Sequence, residues 1–367
     1  MKIPRKMRAV VLTGHGGPDK LEVRNDWPVP EPGPRDVLIR VSACGMNNTD
    51  VNTRSGWYAK QVTTATTGEA AEDTNLEDPT WGGGSIAFPR IQGADVVGEV
   101  VACGAEADQG LLGKRVMTDN WLRDWDDPTR LDGVGYFGSE QDGGYAEFTI
   151  IDHRNVGTVQ SGLGDAELAT FSCSYTTAEG MLENARVGSR DLVLVTGASG
   201  GVGSALVQLA KRRRAIVIAL ASEAKHAQVS ELGADIVLPR SPENLSEAIW
   251  ESAGTRKVTV VADVVGGPAW PDLIEQLCRG GRYVCSGAIA GPMVSFDLRT
   301  LYLHDLTLFG STIVPPYVFR NLVRYIENGE VRPLLAATYP LEDFHAAQAA
   351  FVSKKHFGNV VITVRDR

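Results

Sequence analysis

The chain has 367 residues, room for about two domains at roughly 150 residues each, and 43% of it is hydrophobic, enough to fill two cores. Its 36 Lys and Arg against 45 Asp and Glu give a net charge of −9, which argues against nucleic acid as a partner, because binding a phosphate backbone needs a basic surface. No apolar run nears the ~20 residues of a membrane span. The opening MKIPRKMRAVVLTG has an apolar core too short for a signal peptide, and five cysteines in so long a chain fit reduced thiols in the cytoplasm. The positive clue is glycine: 40 residues, about 11% against a typical ~7%.

In chain order, residues 7–50 read as short strands separated by turns. Ala9 to Leu12 is a strand and GHGGPD a turn. The proline-rich 28–36 leads into a strand from Val37 to Val41, and further strands are expected over 91–101 and 144–151. This part predicts a β-rich, partly closed barrel. Residues 59–88 are rich in Thr, Gly and acids without a sustained period, the texture of a functional or mobile insertion, with Trp81 expected to pack inward. A second irregular segment spans 119–143.

From about 165 strands and helices alternate. DLVLVTG (191–197), AIVIALA (215–221), Ala234 to Leu238, 258–267 and 281–288 are strands, with helical spacing after the first and a polar helix ending at Leu232-Gly233. That alternation predicts an α/β, doubly wound parallel sheet covered by helices on both faces. A helix over Tyr317 to Glu327 and a strand from Asn359 to Val364 close the chain.

The sharpest motif is VTGASGGVGSALVQLA (195–210). A buried strand runs into Ala198, Ser199, Gly200, Gly201, Val202 and Gly203, and a helix follows. This is a dinucleotide fingerprint with Ala in its first place: Gly200 lets the backbone approach a pyrophosphate, Gly203 lets the helix pack close, and the helix N-terminus favours the anion. The next strand ends at Ala221-Ser222 where an NAD site usually has an acid. Ser222 donates and Lys225 follows one turn later, which favours the extra phosphate of NADPH, since a cation about 4 Å from a phosphate gains on the order of 4 kcal/mol before desolvation. Glu223 allows the opposite reading, with NAD as cofactor.

With GMNNTDVNTRSGWY (45–58), GADVVGEV (93–100), GGYAEF (143–148), SYTTAEGML (174–182), ADVVGG (262–267) and GGRYVCSGA (280–288) added to that turn, the chain resembles the medium-chain dehydrogenase/reductase superfamily over nearly its whole length, most of all its zinc-independent quinone oxidoreductase branch. The resemblance implies a GroES-like β-barrel catalytic domain over 1–160, a Rossmann domain inserted over 161–313, a C-terminal return over 314–367, an active site in the cleft between them, and a homodimer or homotetramer. It also implies that Val265 and Gly266, Ser286, Gly287 and Ala288, and Ser311 flank the cofactor at strand ends.

Zinc-dependent members hold the metal with Cys, His and Cys. Those positions here are Asn47, Ala94 (followed by Asp95) and Cys173, a poor zinc set, so no metal is expected and Cys173 reads as a small buried residue. The zinc-free pattern supplies Asn47, Asp50, Arg54, Gly56 and Tyr58. Tyr58 is a candidate proton donor, Asn47 a holder of a carbonyl or of the nicotinamide ribose, Thr49 a relay hydroxyl, and Asp50 a further candidate. The plainer alternative is that Asp50 and Arg54, at i and i+4, pair on a helix. The leading expectation is an NADPH-dependent, zinc-free oxidoreductase of a small-molecule quinone, enone or aldehyde. Its competitors are an alcohol dehydrogenase with a non-standard metal at Asn47, Asp95 and Cys173, and an NADPH-binding structural or RNA-binding protein.

Overall fold

Alternating apolar residues build the first half: Val37, Ile39, Val41 and Ala43 all turn inward along one strand. The structure, a computed structural model, describes residues 2–69, 85–255 and 257–364. Trp81 and the middle of the 59–88 insertion lie outside these residues. The described strands before the first long helix are β1 (Lys6–Leu12), β2 (Leu21–Pro28), β3 (Asp36–Gly45), β4 (Arg90–Ile91), β5 (Asp95–Cys103), β6 (Arg115–Thr118), β7 (Trp121–Leu122), β8 (Gly135–Tyr136), β9 (Phe148–Asp152) and β10 (Val156–Thr158). Helix α1 (Asn48–Ser55) follows β3, and α2 (Asp165–Leu168) and α3 (Ser172–Asn184) follow β10.

Then come β11 (Leu192–Val195), α4 (Gly201–Arg212), β12 (Ile216–Ala221), α5 (His226–Glu231), β13 (Ile236–Pro239), α6 (Leu245–Ala253), β14 (Val258–Asp263), α7 (Trp270–Glu275), β15 (Leu277–Cys285), α8 (Leu298–Leu303) and β16 (Thr307–Gly310). The chain closes with α9 (Pro316–Glu327), β17 (Leu335–Pro340), α10 (Phe344–Val352) and β18 (Asn359–Thr363).

Two compact units result. One takes in Met1–Val62, Thr67–Cys173 and Pro315–Arg367, the other Thr63–Thr66 and Ser174–Val314. In the first, a sheet runs β10-β6-β5-β3-β18-β17, with β9 sharing an edge of β3 with β18. Its core gathers Leu12, Val37, Ile39, Val100, Ile151, Phe344 and Ile362, so the C-terminal residues complete a core begun by the N-terminal ones. In the second, six parallel strands are ordered β13-β12-β11-β14-β15-β16. The order reverses between β11 and β14, the switch point where such sheets open a crevice at their carboxyl ends. The parallel sheet expected from the alternation is therefore present. Its core holds Leu194, Ile218, Val261, Leu273 and Tyr283.

Candidate active site

Asn47 is the hinge of the first unit's polar centre. It is the N-cap residue of α1, extended at φ −131° and ψ 161°, and Asp50 three residues on accepts its backbone N–H at 2.8 Å. The Asn47 side chain turns the other way and donates from Nδ2 to Asp95 Oδ2 at 3.0 Å. Asp95 opens β5 and is completely buried; its Oδ1 also accepts from Asn120 Nδ2 and from the Cys173 backbone N–H, each at 2.8 Å. One carboxylate thus ties the start of α1, the segment before β7 and the start of α3.

Asp50 receives a second donor, the Tyr145 hydroxyl at 2.7 Å, and Gln92 Nε2 donates to its backbone carbonyl at 2.9 Å. Both acids are desolvated, which disfavours the charged form more than these hydrogen bonds favour it. The Asp50 carboxyl is pushed up to about 7 and the Asp95 carboxyl to about 6. Burial likewise holds the Tyr145 and Tyr136 phenols well above the usual range, assisted by Asp50 at the first and by Cys173 and Asp95 at the second.

Thr49, on the first turn of α1, presents a hydroxyl that is buried and has no hydrogen-bond partner among the described residues. Tyr58 is half-buried just past the Gly56 cap, its ring edge-on to Trp57 at 5.7 Å. The alternative reading, an i,i+4 pairing of Asp50 with Arg54, is not what the structure has: Asp50 accepts from the Asn47 backbone and the Tyr145 hydroxyl. Arg54 is fully buried and donates instead to the carbonyls of Gly16 and Gly68, at 2.5 and 2.7 Å, so its charge is directed away from α1's N-terminus. Cys173 is half-exposed, not fully buried as expected, because it sits at the start of α3 with its backbone turned to Asp95.

In the second unit the glycine-rich turn divides its tasks. Gly197 is left-handed at φ +58°. A Cβ on Gly203 would come 2.1 Å from the Gly197 carbonyl oxygen, so α4 can pack on this turn only with glycine there. A Cβ on Gly200 would meet nothing of the chain closer than that same oxygen at 3.5 Å. The space over Gly200 is therefore free for a ligand, at the mouth of a 12-residue helix whose first N–H groups lack intrahelical partners. Ala198 is buried beneath the turn, while Ser199, Gly200, Gly201 and Val202 line its open side.

Asp263, at the end of β14, organises the later strand ends. It accepts from Thr196 Oγ1 at 2.5 Å, Tyr283 Oη at 2.7 Å and the Val265 backbone at 2.8 Å, and the Gly266 N–H also points at it. Gly266 is left-handed at φ +60°, and its missing Cβ would sit 3.2 Å from Ala288. Gly287 would carry its Cβ 3.0 Å from the Val264 carbonyl, Ser286 N–H bonds back to Asp263, and Ser311 N–H donates to Cys285. These small residues are thus brought together by backbone contacts. With Trp270, Tyr283, Cys285 and Leu308, Gly266, Gly287 and Ala288 border a largely apolar cavity of about 290 Å³. Ser222 leaves β12 as the cap of a 3-10 turn, Glu223–Lys225, and Lys225 N–H bonds back to Ser222 at 2.8 Å. α5 starts only at His226, so Lys225 lies in this tight turn. Asp263 and Tyr145 were not singled out from sequence, and Asp95 was weighed there only as a metal ligand; for Asp263 the Asp inside ADVVGG was the one available signal, since a buried acid at a strand end must find donors.

Comparison with known proteins agrees with this architecture. Residues 33–161 match the alcohol dehydrogenase GroES-like domain family and residues 201–328 the zinc-binding dehydrogenase family. A solved structure from Sinorhizobium meliloti 1021, provisionally named an alcohol dehydrogenase, is 46% identical, covers 98% of this chain and 97% of its own, and superposes with a TM-score of 0.90. The chain belongs to the medium-chain dehydrogenase/reductase superfamily. Further relatives in it are a quinone oxidoreductase of Rattus norvegicus, 29% identical over 94% of this chain and 92% of that one, and an acryloyl-coenzyme A reductase of Metallosphaera sedula, 26% identical over 97% and 100%.

As a medium-chain dehydrogenase/reductase, this protein is an NAD(P)H-dependent oxidoreductase. The open turn over Gly200 fits a dinucleotide. The positions that hold zinc in zinc-dependent members do not fit that metal. They offer one amide, one alanine and one thiol, and the carboxylate beside them, Asp95, already accepts from N–H donors on both oxygens. Among the described residues no group of three or more His, Cys, Asp or Glu is placed to hold a metal ion, and no helix is long and apolar enough to cross a membrane.

Proposed function

We propose that this chain is an NADPH-dependent, zinc-free reductase of a small-molecule quinone, enone or aldehyde. The observation that carries the reading is the engagement of Asp95: where a zinc enzyme needs free ligands, three N–H donors occupy the carboxylate. Without a Lewis acid the favoured acceptors are those that take hydride readily, such as quinones and activated enones. The quinone oxidoreductase and acryloyl-coenzyme A reductase relatives are named for acceptors of that kind.

A bound reduced nicotinamide supplies the hydride; the chain's own residues hold the acceptor oxygen and give it a proton. Asn47 has one amide hydrogen engaged by Asp95 and a second left to steady a carbonyl or a ribose. Thr49 carries a buried hydroxyl without a competing partner, suited to relaying a proton, and Tyr58 is the alternative donor. Asp50 acts through Asn47, whose backbone it holds, and is thus a positioning residue. Ser222 and Lys225 favour NADPH over NADH.

The proposed extents are those of the sequence: 1–160 and 314–367 for the catalytic part, 161–313 for the cofactor part, in a cytoplasmic homodimer or homotetramer. A panel of quinones, enones and aldehydes with NADPH and NADH in parallel, on protein whose metal content is measured, tests the reading. Quinone or enone turnover preferring NADPH, with substoichiometric zinc, is expected. Stoichiometric zinc or faster turnover with NADH contradicts it.

A further inference from the structure

α3 and α4 end in the same way. Just past each helix one residue takes the left-handed conformation that favours glycine, and in both it is an arginine, Arg186 at φ 51° and Arg214 at φ 62°. The Val187 N–H returns to the Leu182 carbonyl at 2.9 Å and the Ala215 N–H to the Ala210 carbonyl at 3.1 Å, which fixes both bends. β11 and β12 are parallel with Leu192 beside Ile216, so Arg190 and Arg214, each two residues upstream, enter the sheet side by side at its amino end. Arg282 of β15 donates to the Ala185 and Arg186 carbonyls and to the Asp191 carboxylate, which ties the bend at Arg186 to the same end. Arg186, Arg190 and Arg214 are exposed, and among the described residues no side-chain hydrogen bond or ion pair holds them. The neighbouring acids are engaged by other bases: Asp191 by Arg282, Glu179 and Glu183 by Arg213, Asp235 by Lys211. Beside these cations Ile216 is 52% exposed. A chain of net charge −9 thus carries an uncompensated cationic patch around an apolar side chain, at the end of the sheet opposite the crevice.

The first unit carries the counterpart. The loop between β7 and β8 exposes Asp124, Asp126, Asp127 and Asp132 against the single Arg130, and Leu131 among them is 59% exposed. Arg35 approaches Asp126 only to 4.0 Å, and Asp132 has no partner among the described residues. We propose that the arginine patch around Ile216 in one copy of the chain docks the acidic 124–132 loop of a second copy, with Ile216 and Leu131 at the centre and arginines against aspartates at the rim. Protein interfaces have this anatomy, an apolar centre inside a polar rim, and complementary charge sets the partner and the register. A guanidinium also suits a carboxylate, which it can grip through two N–H donors. A second copy is favoured over a nucleic acid because the whole chain is anionic and because a phosphate backbone leaves Ile216 uncovered. The contact is separate from the edge strand β16 and does not depend on the reductase reading.

Sedimentation velocity on the full chain tests this through a charge exchange. Wild type at about 50 mM salt should form an assembly that dissociates by half or more at about 500 mM, since added salt screens exposed charges. R190E/R214E and D126R/D132R should each lose about tenfold or more in association constant, because each sets like charges face to face. An equimolar mixture of the two variants should recover the wild-type mass, because patch and loop again meet opposite charge. R186G/R214G should also associate more weakly while melting no lower than wild type, since glycine suits both bends, and this separates lost docking from lost folding. A wild-type mass indifferent to salt, an unchanged association constant in R190E/R214E, or a mixture that stays dissociated would each overturn the proposal. Nucleic acid carried by wild type and lost from R190E/R214E would make the occupant a polyanion and overturn it as well.

Discussion

Asp50 and Asp95 are carboxylates placed where water cannot reach them, and stability records the cost. Both titrate higher in the folded chain than their ordinary value of 3.8, at about 7 and about 6. An acid raised in this way contributes stability that is complete below its unfolded pKa and is lost as pH rises through its folded pKa. The denaturant midpoint should therefore fall between about pH 4 and about pH 7, and D50N should flatten that slope. A D50N slope equal to wild type would remove Asp50 from the account. D95N behaves differently: both Asp95 oxygens already face N–H donors, so an amide NH₂ meets at least one of them head-on, and a loss of about 2–5 kcal/mol is expected. Thr49 gives a prediction of the opposite kind. T49V removes an unpartnered buried hydroxyl while keeping its volume, so stability should hold or rise, whereas kcat should drop by about a hundredfold if the hydroxyl relays the proton. An unchanged kcat would move the relay to Tyr58.

The two glycines of the fingerprint separate folding from binding at the level of the element. G203A places a methyl 2.1 Å from a carbonyl oxygen and should cost about 1–3 kcal/mol in thermal or denaturant unfolding. G200A meets only ordinary contacts, so stability should stay within about 1 kcal/mol while cofactor affinity falls, as nucleotide titration would reveal. Equal effects of the two on binding and on stability would show that the space over Gly200 is not used. That distinction was legible in the sequence because strand, turn and helix are local. The same holds for β11, β12 and α9, whose apolar period is strong. β2 and β17 were not anticipated: LEVRNDWP and LAATYP are mostly half-exposed or exposed, so neither shows a clean alternation. The hydrogen bonds of Asp95 were also out of reach, because they join residues 47, 95, 120 and 173, and nothing local encodes that meeting.

At the scale of the whole molecule, long-range pairings set the architecture. β18 pairs with β3 across most of the chain, Ile362 against Cys44, and such register cannot be read from either strand alone. The interleaved order followed from the resemblance, not from periodicity. β16 leaves an open sheet edge, and Leu308 on it is exposed together with Leu298, Tyr302 and Leu303 of α8. The proposed homodimer or homotetramer would cover this edge. L308K should then shift the protein to a smaller species in sedimentation, and an unchanged mass would place the interface elsewhere. The account's central claim concerns hydride transfer without a metal. Its most direct test is the rate of NADPH oxidation by a quinone after exhaustive chelation, with zinc quantified in the same sample. The account predicts full turnover without zinc; turnover that vanishes on chelation and returns when zinc is added would contradict it.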